Sequence, residues 1–428
     1  MDKLQQARKI ISEIDQEMAD LFVRRMQAAE QVARYKQEHD LPIFDGKRER
    51  ELLEKGCARV EDPVLRQHYA RFLQNNMDVS KDYQRQLLAQ DDSRLRMELG
   101  ADSYEIFLRR DGLEQAAALL DLDRKVCIVT DSGVPRQYVE SFALRCKDPM
   151  IVTVEAGEAS KTLESVAEIC RAMMAEGFSR KDCVAAVGGG MVGDLAGFAA
   201  ASFMRGVDFY NLPTTLLSQV DSSIGGKTGV NLDGVKNMVG AFYQPRAVLI
   251  DSDTLGTLPP RLRAEGLAEC VKMALCMDAD LFERLEREDP WQDIEQVIRR
   301  SLVLKKQVVE QDVEEKGLRK VLNFGHTIGH GVESAAAGSL YHGECVAIGM
   351  MPMCAAGLRP RLEALLSKLG LPVSTDLDKA AIWEAMLHDK KSDSAGFSAV
   401  FVEEIGKATV KTVTFAEMKT ILEGAWQA

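Results

Sequence analysis

Three histidines and two glutamates in the C-terminal half of the chain have the types and spacing of a catalytic metal site. His326 and His330 are four residues apart and share one face of a helix, a spacing suited to metal ligation. His342 follows after a loop, and Glu269 and Glu344 lie on other predicted helices. One imidazole pair alone is more often structural, but the third histidine and the glutamates favour a divalent ion with an open position for substrate. Spacing alone does not decide which three of the five bind it.

A glycine cluster has the pattern of a dinucleotide-binding turn. Gly188-Gly189-Gly190 follows the apolar run 183–187, and a helical pattern begins close to Asp194. Glycines let the backbone approach a pyrophosphate closely, while the helix N-terminus offers N–H donors. A tight structural turn is the alternative, but the strand before the glycines and the helix after them favour dinucleotide binding.

The segment 212–228 combines hydroxyls, glycines and a lysine, and it favours a phosphate-bearing substrate. Its end, Gly225-Gly226-Lys227-Thr228, superficially resembles a nucleoside-triphosphate-binding loop. Asp221 stands where that loop needs its first glycine, so an NTPase is disfavoured.

Near the N-terminus, two cations share one face of a long predicted helix. Apolar residues recur at alternating spacings of three and four from Leu4 to Tyr35. Arg25 interrupts this seam, and Lys36 lies about 20° further round the helix. The two cations either reach solvent from the edge of a bundle or form a pocket for a small dianion. Arg8 lies roughly 26 Å from Arg25 along the helix, so it could serve the same ligand only from a second chain.

These candidate sites need a multi-domain fold. Three helices are predicted for residues 1–90, an all-α domain, with breaks at Pro42 and before Asp62-Pro63, and residues 91–97 read as a linker. Residues 98–258 predict an α/β dinucleotide-binding half, and residues 259–428 predict a mostly α-helical half that binds metal and substrate. Three runs read as buried parallel strands: 125–130, 151–154 and 183–187.

Composition excludes several classes of protein. A length of 428 residues fits two or three domains of roughly 100–200 residues each. The net charge of −12 argues against nucleic-acid and anionic-membrane partners. The longest nearly unbroken apolar stretch, Cys345–Leu358, is shorter than the ~18 residues that a membrane span needs. Nine cysteines without CxxC pairs, and an N-terminus without an apolar signal region, predict a cytoplasmic protein with reduced thiols.

Residues 1–90 resemble the all-helical chorismate mutase family. The matching positions are Arg8, Ile14-Asp15, Arg25, Lys36, Asp45-Gly46-Lys47-Arg48-Glu49, Ser80 and Gln84, the last two after a one-residue shift in register. The resemblance implies an intertwined homodimer that rearranges chorismate to prephenate. It implies carboxylate binding by Arg8 of the second chain, Arg25 and Arg48. It assigns the rest of the pocket to Lys36 and Gln84 at the ether oxygen, Glu49 at the hydroxyl, and Asp45 and Ser80. Such a reaction needs orientation and cationic stabilisation but no nucleophile.

About residues 95–428 resemble the 3-dehydroquinate synthase family. The motifs that carry the resemblance are Gly188–Asp194, Asp221–Thr228, Lys236-Asn237, Glu269–Lys272, Gly317-Leu318-Arg319, Asn323–His330 and His342-Gly343-Glu344. The resemblance implies that zinc or cobalt is held by Glu269, His326 and His342. It implies that NAD is bound by Asp131, Glu158, Lys161, Gly188, Gly189, Gly190, Asp194, Thr214 and Thr215. It assigns to the substrate Asp221, Lys227, Lys236, Asn237, Lys272, Lys305, Arg319, Asn323, His330 and Lys390, with Arg205 reaching the phosphate of a neighbouring subunit. Glu403-Glu404 departs from the family pattern, which leaves the choice between Lys390 and Lys391 open.

The implied reaction converts 3-deoxy-D-arabino-heptulosonate 7-phosphate to 3-dehydroquinate and phosphate with no net redox change. The two resemblances together imply a bifunctional enzyme of the shikimate pathway. Two alternatives stay open for its parts. Residues 1–90 would instead be a regulatory module that binds chorismate or prephenate. The larger part would instead be a related sugar-phosphate cyclase or a polyol dehydrogenase. The dense set of cations disfavours the dehydrogenase, whose substrate would not need them.

Overall fold

The computed structural model describes residues 3–38, 43, 46–89, 93–389 and 396–426. Asp45, Lys390 and Lys391 lie outside the described residues. The chain divides into two compact units, Met1–Ser93 and Arg94–Ala428. Over the described residues, no helix combines the length and apolar character that crossing a bilayer requires.

The first unit consists of the three predicted helices. They are α1 (Lys3–Glu38), α2 (Gly46–Cys57) and α3 (Pro63–Ala89). The predicted start of α3 is confirmed: Asp62 Oδ1 accepts hydrogen bonds from the backbone N–H groups of Val64 and Leu65 at 2.7 and 3.0 Å. Most of the apolar seam of α1 is exposed in the single chain; Leu21, for example, is 58% exposed.

A seven-stranded sheet forms the frame of the second unit. The strands of this unit are β1 (Arg94–Met97), β2 (Tyr104–Arg109), β3 (Lys125–Asp131), β4 (Asp148–Val154), β5 (Cys183–Gly188), β6 (Asp208–Pro213), β7 (Lys227–Leu232), β8 (Val235–Phe242), β9 (Ala247–Asp251), β10 (Phe397–Glu404) and β11 (Lys407–Val413). Strands β7 and β8 form one separate hairpin, and β10 and β11 form another. The sheet order is β1-β2-β9-β6-β5-β3-β4, and every pairing except β1 with β2 is parallel. The predicted buried parallel strands β3 and β5 are confirmed. The third, β4, is parallel as predicted, but it is not buried, because it lies at the edge of the sheet and has a neighbouring strand on one side only.

Helices cover both faces of this sheet and form the C-terminal half. They are α4 (Ala116–Leu119), α5 (Arg136–Ala143), α6 (Leu163–Ala175), α7 (Gly190–Ser202), α8 (Pro260–Met277), α9 (Ala279–Arg287), α10 (Ile294–Gln311), α11 (His326–Ala336), α12 (His342–Met353), α13 (Arg359–Lys368), α14 (Lys379–Asp389) and α15 (Phe415–Glu423). Along β3, Val126 and Ile128 enter one core, whereas Cys127 and Val129 enter another on the opposite face. The predicted fold class, with an α/β half and a mostly helical half, is confirmed.

Two strand assignments differ from the sequence prediction. Residues 94–97, within the segment predicted as linker, form β1 because Leu95 and Met97 turn inward while Arg94 and Arg96 both pair with Glu105 across the strands. The half predicted as mostly helical also contains the hairpin β10–β11. Its strand alternation was hidden by the acidic residues that end β10.

Glycines allow α11 and α12, the two helices that carry the predicted histidine ligands, to pack backbone against backbone. A Cβ atom added at Gly349 of α12 would lie 2.1 Å from the carbonyl oxygen of Gly325 and 2.7 Å from the backbone nitrogen of Gly329. Both contacts are with main chain, which cannot rotate away.

We therefore expect Gly349→Ala to force α11 and α12 apart and to cost about 1–3 kcal/mol of stability. Calorimetry should show a lower unfolding temperature for the second unit. Gly357→Ala is the control, because a Cβ there meets nothing within 4 Å. Equal unfolding temperatures for the two variants would contradict the prediction.

Candidate active sites

Helices α8, α11 and α12 bring together Glu269, His326 and His342. Oε1 of Glu269 lies 3.7 Å from Nε2 of each histidine, and the three donor atoms are within 4.8 Å of one another. Glu269 is fully buried; its Oε1 faces the two imidazoles, and its Oε2 forms an ion pair with Lys272. Ligand atoms around a tetrahedral ion with bonds of ~2.0–2.1 Å lie roughly 3.3–3.4 Å apart. These donors therefore fit a divalent cation after small movements.

The charges around this cluster favour a cation at its centre. Burial by itself raises the pKa of Glu269, but the Lys272 ammonium and the two imidazoles lower it well below its usual range. Burial lowers the pKa of His342, and hydrogen bonds and charges from Glu269 and Glu333 overcome this and raise it to about 10. Burial and the Lys272 charge hold the pKa of His326 well below its usual value, so that its imidazole is neutral, the form that binds metals.

Asp221, Lys272 and Lys305 form a buried charge network beside the cluster. Lys272 forms an ion pair with the Glu269 carboxylate. Nζ of Lys305 lies 2.8 Å from Oδ1 of Asp221 and donates a hydrogen bond to the Asp221 backbone oxygen. Asp221 is held in a π-helical turn, Ser218–Ser222, a geometry frequent at functional sites. Burial lowers the pKa of Lys305, while Lys305 and Lys272 outweigh burial and lower the pKa of Asp221.

A second group of predicted substrate residues gathers around Glu315. Its carboxylate forms an ion pair with Lys227 and accepts a hydrogen bond from Nδ2 of Asn323 at 2.5 Å. Arg319 is buried nearby and donates to two backbone carbonyls at 2.6 and 3.3 Å. The structure thus brings Lys227, Arg319 and Asn323 into one region.

Glu333 joins Lys236 to the metal-binding cluster. One carboxylate oxygen lies 2.7 Å from Nζ of Lys236, and the other lies 3.1 Å from Nδ1 of His342. The His330 ring stands beside the rings of His326 and His342, at centroid distances of 5.2 and 6.0 Å. Two residues predicted to bind the substrate, Lys236 and His330, therefore lie close to the candidate metal ligands.

The glycine turn lies where adjacent parallel strands end. Gly188–Gly190 connects β5 to α7, and no side chain caps the first turn of that helix. Thr214 and Thr215 follow the neighbouring β6, and Asp131 ends β3 on the other side. A Cβ at Gly190 would lie 2.8 Å from Oγ of Ser222. The crevice at the carboxyl ends of such strands is the usual place for a dinucleotide, and this turn has room for its backbone to approach one.

Lys161 connects residues predicted for the nucleotide with one predicted for the substrate. Its Nζ donates to Asp194 Oδ2 at 2.6 Å and to Asn237 Oδ1 at 2.5 Å, and it lies 3.9 Å from the Glu158 carboxylate.

Arg205 differs from these residues in its surroundings. It is exposed, has a φ of 69°, and makes no hydrogen bond or ion pair within the described part of the chain.

In the first unit, two predicted cations face the helix bundle. Arg25 donates to the backbone oxygen of Asn76 at 3.0 Å, and Lys36 donates to the backbone oxygen of Ile43 at 2.6 Å. Arg8, near the start of α1, is exposed.

The other predicted residues of this unit lie on α2 and α3. Ser80 and Gln84 are buried, and Oε1 of Gln84 has no hydrogen-bond partner among the described residues. Glu49 pairs with Lys81 at 2.8 Å, a contact that the sequence analysis missed, and Arg48 lies 3.7 Å from the Glu51 carboxylate.

Comparison with known proteins identifies both units. Residues 151–265 and 266–392 match the sequence models of the 3-dehydroquinate synthase N-terminal and C-terminal domains. The 3-dehydroquinate synthase of Streptococcus sanguinis (strain SK36) is 39% identical over 353 residues, which cover 77% of this chain and 99% of that protein. This chain belongs to the 3-dehydroquinate synthase family. In addition, residues 7–85 match the model of chorismate mutase type II.

Solved structures support the same assignment to the synthase family. A 2-deoxy-scyllo-inosose synthase, complexed with carbaglucose-6-phosphate, NAD+ and Co2+, is 28% identical with a TM-score of 0.71; the match covers 78% of this chain and 99% of that one. A 2-epi-5-epi-valiolone synthase from Streptomyces hygroscopicus subsp. jinggangensis 5008, with NAD+ and Zn2+ bound, is 29% identical with a TM-score of 0.69, covering 76% and 96%.

Two acidic residues of this family member's site were missed from the sequence. Glu333 follows His330 by three residues and His326 by seven, so helical periodicity places all three on one face of α11 and could have found it. Glu315 carries no such signal. It lies in an irregular loop with a φ of 60°, among other acidic residues.

Proposed function

We propose that this chain is a bifunctional enzyme of the shikimate pathway. In the larger unit, 3-deoxy-D-arabino-heptulosonate 7-phosphate is converted to 3-dehydroquinate and phosphate. In the N-terminal domain, chorismate is converted to prephenate. The observation that carries the first activity is the buried Glu269 carboxylate, which faces two imidazoles and the Lys272 ammonium beside a dense set of cations. We assign residues 1–90 to the mutase, 98–258 to nucleotide binding and 259–428 to metal and substrate binding.

The donor sets fit the cofactors of this chemistry. Glu269, His326 and His342 would hold zinc or cobalt, and the Gly188–Gly190 turn would hold NAD, with further contacts from Asp131, Glu158, Lys161, Asp194, Thr214 and Thr215. When bound, the nucleotide takes up and returns one hydride, and the ion polarises the hydroxyl oxygen of the substrate.

The charge of the site matches a substrate that carries both phosphate and carboxylate. Five cationic side chains meet four carboxylates in the clusters described above: Lys227, Lys236, Lys272, Lys305 and Arg319 against Asp221, Glu269, Glu315 and Glu333. The cations bind and orient the two anionic groups. The glutamates keep the cations in place. A neutral polyol would need no such set, which disfavours a polyol dehydrogenase.

Two polar groups are placed to move protons during phosphate elimination and ring closure. His330 stands beside the metal cluster, and Asp221 lies between Lys305 and Lys272. The lysines keep Asp221 ionised in spite of its burial, so it can accept a proton.

The experiment for the synthase is phosphate release from the heptulosonate phosphate by the full chain with catalytic NAD. We expect steady release without NADH accumulation, a loss of at least ~100-fold after chelation, and recovery with zinc or cobalt. Chorismate turnover in the same chelated sample is the control, because it needs no metal. Release from another heptulose or a hexose phosphate, but not from this substrate, would instead identify a related sugar-phosphate cyclase. NADH accumulation would identify a dehydrogenase.

We propose that the mutase acts as a homodimer. The exposed apolar seam of α1 supports a second chain there. Arg8 is exposed and lies too far along α1 from Arg25 to reach its own chain's pocket, so it would serve the pocket of the second chain. The unpartnered Gln84 oxygen in a buried position supports a polar ligand between the helices. Binding of chorismate without turnover would show a regulatory module instead.

We also propose that this protein is located in the cytoplasm. All nine cysteines are free thiols in this fold, as expected of a protein that works in a reducing compartment.

A further inference from the structure

Glu333 uses both carboxylate oxygens to connect two functional groups that come from separate elements. Oε2 accepts from Nδ1 of His342, at the start of α12, at 3.1 Å. Oε1 accepts from Nζ of Lys236, in β8, at 2.7 Å. The glutamate is only 16% exposed, so these contacts are shielded from solvent.

The contact with His342 decides which nitrogen of the ring can bind a metal. A ring whose Nδ1–H is donated to a carboxylate presents Nε2 to a metal, which displaces the Nε2 proton on binding, and Nε2 is the atom that faces Glu269 at 3.7 Å. A carboxylate behind a ligating imidazole both orients the ring and strengthens it as a ligand.

Glu333 could also be considered as a ligand, because it lies with His330 and His342 in a second group of possible donors. Its contacts argue against that role. Oε1 is taken by the Lys236 ammonium, whose charge repels a metal ion, and Oε2 is taken by the imidazole N–H. Oε2 contacts Nδ1 of His342, whereas the Nε2 atom of the same ring is the one that faces Glu269.

We propose that Glu333 is a positioning residue that acts through His342 and Lys236: it fixes His342 with Nε2 toward the ion and holds the Lys236 ammonium at the substrate. This inference rests on the proposed synthase function. It predicts that one carboxylate controls both metal affinity and substrate affinity, without touching either ligand.

The test measures Co2+ affinity of the full chain by competition with a chromophoric chelator. We expect about tenfold weaker binding for Glu333→Gln, which keeps a hydrogen-bond acceptor, and about 100-fold weaker binding for Glu333→Ala. The visible spectrum of saturating Co2+ should be the same in the wild-type and Gln proteins, because the ligands are unchanged. Glu286→Gln is the matched control. Glu286 is 23% exposed and pairs with Arg361 in the same unit.

A second readout separates positioning from general destabilisation. With saturating Co2+, Glu333→Gln should raise KM for the heptulosonate phosphate, and the effects of Glu333→Gln and Lys236→Met should combine to less than their product. Unchanged Co2+ affinity in both Glu333 variants, an altered Co2+ spectrum in the Gln variant, or an equal loss in Glu286→Gln would overturn the inference. If the wild-type chain binds no Co2+, the proposed metal centre itself fails. It also fails if the His326→Ala variant binds Co2+ as tightly as the wild-type chain does.

Discussion

The His326→Ala protein should lose about a thousandfold or more of its 3-dehydroquinate synthase activity. His326 is one of three donors that converge on one point: its Nε2 lies 3.7 Å from Oε1 of the buried Glu269, and all three donor atoms lie within 4.8 Å of one another. Without this imidazole, the ion loses a ligand from a three-residue set, and the site loses about 4 kcal/mol of charge stabilisation at the reacting oxygen.

The measurement is kcat/KM for phosphate release, with the metal content of each preparation determined in parallel. His388→Ala is the matched control, since His388 is an exposed histidine on α14 of the same unit. Chorismate turnover should be unchanged in both variants. A fully active His326→Ala protein would refute the assignment of this cluster as the metal centre.

Lys36→Ala should reduce chorismate mutase activity by roughly 100- to 1,000-fold and leave synthase activity unchanged. The half-buried ammonium of Lys36 is the cation that the family resemblance places at the ether oxygen, where negative charge develops as the bond breaks. Removing one preorganised donor to such an oxygen typically costs this much in kcat.

Arg34→Ala on the same helix provides the control. Arg34 is exposed and pairs with Glu30 one turn earlier, so its removal should change neither activity. Chorismate consumption is followed by the loss of its absorbance, because the rearrangement breaks the conjugated diene of its ring. Equal losses for Lys36→Ala and Arg34→Ala would indicate that α1 has been disturbed and would contradict the placement of the mutase pocket.

The His326 and Lys36 variants together form a reciprocal experiment. Each should remove one activity and preserve the other, because the two sets of residues belong to separate compact units. If either variant abolished both activities, the two units could not be catalytically independent.

Much of this protein could be predicted from local sequence patterns. The period of α1, the cap at Asp62, the buried strands β3 and β5, the existence of strand β4, and the glycine turn after β5 each depend on residues close together in the chain. The His326–His330 pair on one face of α11 has the same origin. Helical and strand periodicities are properties of the backbone, and therefore neighbouring residues suffice to reveal them.

The sequence by itself determined the elements and the inventory of chemical groups, while the tertiary structure decided which groups meet. Glu269 faces His326 and His342, and Glu333 pairs with Lys236, only because separate helices and a hairpin pack together. The loop that places Glu315 between Lys227 and Asn323 has no periodicity to predict it. Contacts between residues far apart in the chain depend on how whole elements pack, and no local pattern contains that information.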